Sequence, residues 1–151
     1  MNPTDKKKFL KGKIVPEQVK FIHFNQLKNH TILDTFMFGR TDENQGYGII
    51  LDNQSIYLYF STIDFEAESR DELYYYENQS LTRGQFIHMI TNNHNFYNSI
   101  LEKLDTHNII DLDALNEYKK YINEQLEQDK QKQRDKYEYE QYLKLKNKFE
   151  K

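Results

Sequence analysis

From Asp111 to Lys151 the chain contains neither glycine nor proline. Those are the residues that most weaken a helix interior, by about 1 and about 3 kcal/mol. Asp111 or Asp113 supplies an N-cap, so one uninterrupted helix is predicted, roughly 55–60 Å long at 1.5 Å per residue. That is too long for one face of a small domain. Leu115, Tyr118 and Ile122 recur at helical spacing, and Tyr139 and Leu143 fall in the same heptad register. Between them, residues 127–136 (EQDKQKQRDK) hold no apolar side chain. Two arrangements fit the pattern. One is a solvated helix held by charge pairs one turn apart. The other is an antiparallel or intermolecular coiled coil that uses both apolar patches.

The rest of the chain must supply a core. Its 151 residues set a prior of one domain. Ten Phe and twelve Tyr, with no Trp, argue against disorder throughout. The absence of Cys excludes disulfides, thiolate zinc sites and thiol nucleophiles, and fits a reducing cytoplasm. No apolar run reaches the roughly 20 residues of a membrane span, and the start lacks the apolar stretch of a signal peptide. The expectation is a soluble cytoplasmic protein.

Charge divides the chain. Residues 1–28 carry seven Lys against Asp5 and Glu17, residues 29–80 carry Arg40 and Arg70 against ten acids, and residues 111–151 balance ten of each. The division expected is a mobile basic arm with a short strand or helix (1–30), a compact domain (31–105) and the long charged helix (106–151).

Within the middle segment, 32–39, 47–51 and 55–61 read as strands, and the Asp-Asn-Gln between the last two suits a hairpin turn. Residues 19–24 read as a short strand, with a helix opened by Pro16 as the alternative. Residues 64–79 read as a long acidic loop. Residues 84–91 have strand character, although Thr82 and Gln85 fit a capping box and so a competing helix. Residues 95–104 fit either. Side chains alternate across a strand, so Tyr57 and Tyr59 share one side. With Tyr47 they form an aromatic face, and Ile50, Ile56 and Leu58 turn inward.

The stretch 45–63, QGYGIILDNQSIYLYFSTI, resembles the cold-shock domain. Gly46, Tyr47, Gly48, Ile49 and Ile50 align with that family's Gly-aromatic-Gly-aromatic-Ile strand. Ile56 to Ser61 and Ile63 align with the strand that follows it. Residues 80–90 (SLTRGQFIHMI) resemble the entry to its fourth strand. The resemblance covers about 31–105. It implies a small antiparallel OB-like β-barrel there, and with the long C-terminal helix read from the residues the expected fold class is α+β. It also implies single-stranded nucleic acid, RNA or DNA, stacked on Tyr47, Tyr57, Tyr59 and Phe60. Phe86 or His88 would border that face, and one of Tyr74, Tyr75 or Tyr76 would extend it. Lys6, Lys7 and Lys8 would reach the phosphates. Gln45 stands where the family has Lys.

The alternative expectation is a protein-interaction module or inhibitor. It would present the acidic 64–79 segment as a nucleic-acid mimic, or dock or dimerise through the C-terminal helix. No catalytic residue, metal ligand or cofactor is expected. His23, His30, His88, His94 and His107 lack metal-protease spacing, and phosphate-loop, dinucleotide and serine-elbow motifs are missing.

Overall fold

The computed structural model describes residues 1–41, 44–63, 76–92 and 96–150. Side chains at 40–41, 44–45, 60–63 and 76–80 lie outside the description. Helix α1 (Pro3–Gly12) opens with Asn2 accepting from the Thr4 amide and with proline in the first turn. The basic arm expected to be mobile is therefore a helix, and Leu10, Ile14 and Val15 just beyond it are buried.

Five strands follow: β1 (Lys20–Phe21), β2 (Ile32–Thr41), β3 (Asn44–Leu51), β4 (Ser55–Ile63) and β5 (Tyr76–Ser80). The 19–24 strand shrinks to Lys20–Phe21, and Phe24–Gln26 forms a 3-10 turn instead. Strands β2, β3 and β4 form an antiparallel meander. The far edge of β4 is shared, with β1 parallel to it at Ser55–Ile56 and β5 antiparallel along Tyr59–Ile63. The sheet is mixed and four strands wide. The end of the expected acidic loop is thus strand β5, while 64–75 lie outside the described residues.

Among the described residues β2 pairs only with β3, so the sheet is open and the expected barrel closure is not formed. The physical reason lies in the segment meant to close it. Residues 84–91 belong to helix α2 (Arg83–Asn92). The Thr82 amide donates to Gln85 Oε1 at 2.9 Å, and the Gln85 amide donates to Thr82 Oγ1 at 3.3 Å. This capping box starts a helix, and Phe86 and Ile90, one turn apart, bury its inner side. The 95–104 segment also resolves to helix, α3 (Asn98–Thr106).

Helix α4 (Leu112–Phe149) runs 38 residues, as the missing glycine and proline require. Asp111 caps it, accepting from the Ala114 amide at 2.9 Å.

One core joins every layer. Phe36, Phe38, Ile50, Ile56 and Leu58 from the inner sheet face meet Leu10, Phe86, Ile90, Leu104, Leu115 and Tyr118 from the helices. Residues from all three sequence segments share it. Arg83 pins the link between α1 and β1, donating to the carbonyls of Val15, Pro16, Glu17 and Val19 at 2.8–3.2 Å. Asn53 occupies the left-handed region (φ 52°) in the β3–β4 turn, which Asn tolerates well.

Candidate interaction surfaces

The outer sheet face is built by strand alternation. Met37 pairs with Tyr47, which pairs with Tyr59, and Thr35 pairs with Ile49, which pairs with Tyr57. Their side chains lie opposite the inner set of Phe36, Gly48 and Leu58. The Tyr47 and Tyr59 rings lie 6.3 Å apart, tilted by 42°. Tyr47 is 44% exposed and Met37 59%. Beside them, a groove of 790 Å³ runs from Met37, Tyr47 and Ile49 to Ile100 and Lys103 of α3.

The expected stacking set is only partly presented. Ile50, Ile56 and Leu58 turn inward as alternation predicts. Tyr57 shares the outer face with Tyr47 and Tyr59 but is buried, 8% exposed, with the Phe24 ring 6.3 Å away. Burial pushes its phenol pKa up, helped by neighbouring Tyr59. Phe60 pairs with Gly46 in the backbone, and its side chain lies outside the description. Phe86 is a core residue, and His88 is exposed on α2 beside Asn92, so neither borders the sheet face. Tyr74 and Tyr75 lie outside the described residues, as does the Tyr76 side chain.

Gly46 and Gly48 have an internal explanation. Phe38 and Phe36 stand directly across from them, and a Cβ at either glycine would collide with the facing ring. The glycines admit core rings, an arrangement known from aromatic rescue of strand glycines.

The lysines sit on the helical layer. The Lys6 ammonium lies 5.2 Å from the Tyr121 ring centroid, Lys7 lines a pocket with α2 and α4, and Lys8 is exposed on α1. Among the described residues none of their contacts involves the tyrosine face. The cation that does border Tyr47 is Lys103, which sequence reading missed. It ion-pairs with Asp34 at 3.2 Å and donates to the Thr35 carbonyl at 3.1 Å. Asp34 also meets His107 Nε2 at 3.3 Å. Its own Thr35 amide is the main cause that lowers the Asp34 pKa, with Lys103 and His107 adding to it. No spacing rule links residues 34, 103 and 107, so their convergence required the fold.

The second surface is the end of α4. Leu115, Tyr118 and Tyr121 are in the core, with Ile122 packed against it. The first apolar patch of the heptad reading is therefore consumed within the domain, so the expected coiled coil using both patches is not available and only the second patch is left exposed. From Leu126 to Glu150 every side chain is exposed except half-buried Gln141. Tyr139 and Tyr142 stack there, 6.4 Å between centroids. Polar pairs brace the middle, including Lys130–Glu127 at 2.9 Å and Gln131–Asp135 at 2.7 Å.

Among the described residues no helix is long and apolar enough to cross a membrane, and no three His or acidic side chains gather as a metal site. The chain matches no protein-family model, no curated protein and no solved structure. Fold and surfaces define a class: an α+β domain with an open mixed sheet and a terminal helix that extends past its core.

Proposed function

We propose that the chain is a non-catalytic protein-interaction module whose working element is the exposed end of α4. The observation that carries this reading is the stripe of Tyr139, Tyr142, Leu145 and Phe149, each more than half exposed. They follow one another at helical spacing and so lie along one side. A helix segment without tertiary packing is marginal in water, and surface charge pairs add only about 0.2–0.5 kcal/mol each. Burial of the stripe against another helix supplies what is missing. The charges nominate a second copy of the same segment. Glu138 and Glu140 precede Lys144, Lys146 and Lys148, so an antiparallel partner sets acids against bases while a parallel one sets like against like.

Sedimentation velocity over a concentration series tests this. The parent chain shifts toward the dimer mass as concentration rises, and Tyr142→Glu with Leu145→Glu remains monomeric. A parent that stays monomeric throughout rules out the second copy. Identical helicity and identical mass in parent and variant would remove the stripe as a contact.

A second reading is favoured by the Tyr47–Tyr59 ring pair, which offers a stacking surface for single-stranded nucleic acid beside the Lys103 cation. Base stacking contributes about 1–3 kcal/mol per base. Labelled oligo-dT and oligo-U at low salt should bind weakly and lose affinity in Tyr47→Ala. Absence of binding at low salt ends this reading.

A further inference from the structure

We propose that a pocket between α1, the end of α2 and α4 is a binding site for the phosphate group of a small organic molecule. The pocket has a volume of 280 Å³, just below the usual range for small-molecule sites. Lys7 from α1 and Lys119 from α4 both line it, with Asn92, Tyr118, Ile122 and Asn123, and among the described residues no carboxylate does. Two lysines lining one small pocket each call for a counter-ion. Neither has one: among the described residues Lys7 and Lys119 make no ion pair and no side-chain hydrogen bond.

Lys120, one residue along, does not line this pocket but a neighbouring one with Glu117 and Glu124. Lys119 lines this pocket and also a shallower one with Lys120, Glu124 and Glu127, and its partial removal from water lowers its pKa below the ordinary lysine value. An anion bound in the pocket offsets what desolvation costs Lys119.

The remaining walls define the ligand. The Thr91 hydroxyl is spent on the Ile87 carbonyl at 2.7 Å, and Asn92 Nδ2 is 2.8 Å from His88 Nδ1. The Asn123 amide and the Tyr118 hydroxyl have no protein partner among the described residues and remain as donors. Burial raises the Tyr118 pKa and so keeps the hydroxyl protonated. Ile122 and the Tyr118 ring add an apolar side. Cations and neutral donors on one side with an apolar wall on the other suit a phosphomonoester. A nucleic-acid strand is too large for the volume.

The site is separate from the α4 tip and does not depend on its pairing. A simpler account is that the two lysines complement the negative end of the α2 dipole. That account predicts a change in stability with no saturable anion response.

Calorimetric titration of the full-length chain at low ionic strength, with inorganic phosphate, pyrophosphate, glycerol phosphate and acetate as probes, decides between them. Saturable binding of the phosphates is expected, tighter than any response to acetate. Lys119→Met and Lys7→Met should each weaken phosphate affinity about tenfold, the worth of one charge-assisted hydrogen bond. Lys120→Met should leave it unchanged. If Lys119→Met fails to fold, Asn123→Ala and Lys7→Met carry the comparison. Lack of saturation with every phosphate, or an equal loss in Lys120→Met, overturns the site.

Discussion

The ring of Phe36 lies directly across from Gly48, in the space a Cβ would need. Gly48→Ala should therefore destabilise the fold by about 1–3 kcal/mol through overpacking. Urea midpoints check this. The double variant with Phe36→Leu should recover part of the loss, because the two sites are in contact and couple. If Gly48→Ala is neutral, the glycine is free for some other use.

Arg83 donates to backbone carbonyls on both sides of the turn that follows α1. Its planar fork reaches several acceptors where an ammonium reaches fewer. Arg83→Ala should cost about 2–3 kcal/mol, and Arg83→Lys should recover only part. Amide exchange at residues 14–21 should accelerate in both, more than exchange in β3.

Acid should weaken the protein through Asp52 and Asp34. The His30 ring, 2.7 Å from Asp52 Oδ1, is the main cause of the lowered Asp52 pKa, and the Thr31 amide adds to it. For Asp34 the Thr35 amide leads. In both cases the folded pKa lies below the unfolded one. The stabilisation is complete above the ordinary aspartate value of about 3.9 and is lost as pH falls through the folded pKa. Urea midpoints from neutral pH to pH about 2 should fall along this limb. Asp52→Asn and Asp34→Asn should each be less stable at neutral pH and show a flatter acid limb.

Tyr57 and Tyr47 should behave as opposites. Tyr57→Ala removes a buried ring and should cost about 3–5 kcal/mol, while exposed Tyr47→Ala should stay within about 0.5–1 kcal/mol. Ultraviolet titration separates them as well: the Tyr57 phenol deprotonates above the ordinary tyrosine range. Because its folded pKa is raised, its contribution is intact below pH about 10 and lost as pH climbs above that. Equal effects of the two substitutions would restore the three-tyrosine platform.

How far the sequence disclosed this arrangement depended on the range of the interactions. The α4 helix was legible because its determinants are local: the Asp111 cap and an uninterrupted run of helix formers. The β2–β4 meander was legible from alternation and from the Asp-Asn-Gln turn. The α2 segment was ambiguous, since SLTRGQFIHMI has a strand-like composition and also a capping box, and the box prevailed once Phe86 and Ile90 could be buried together. The shielding of Tyr57 was not legible, because Phe24 lies 33 positions away in a 3-10 turn. The Lys7–Lys119 pocket was hidden for the same reason. Charge counts placed Lys7 in a solvent-facing arm, whereas packing of α1 on α4 sets it, still exposed, at a pocket that Lys119 also lines.

In the proposed antiparallel dimer the length of α4 beyond the core would act as a fixed spacer. If two copies cross antiparallel near Lys144, the point where each helix leaves its domain, near Gln125, lies nineteen residues from the crossing. The two globular parts are then held about 57 Å apart at 1.5 Å per residue. The polar 127–136 stretch serves as a rod that keeps them from touching. A deletion of seven residues there would preserve the heptad register and bring the heads of such a dimer about 21 Å closer, so the reach of the proposed assembly would be set by the length of this polar segment.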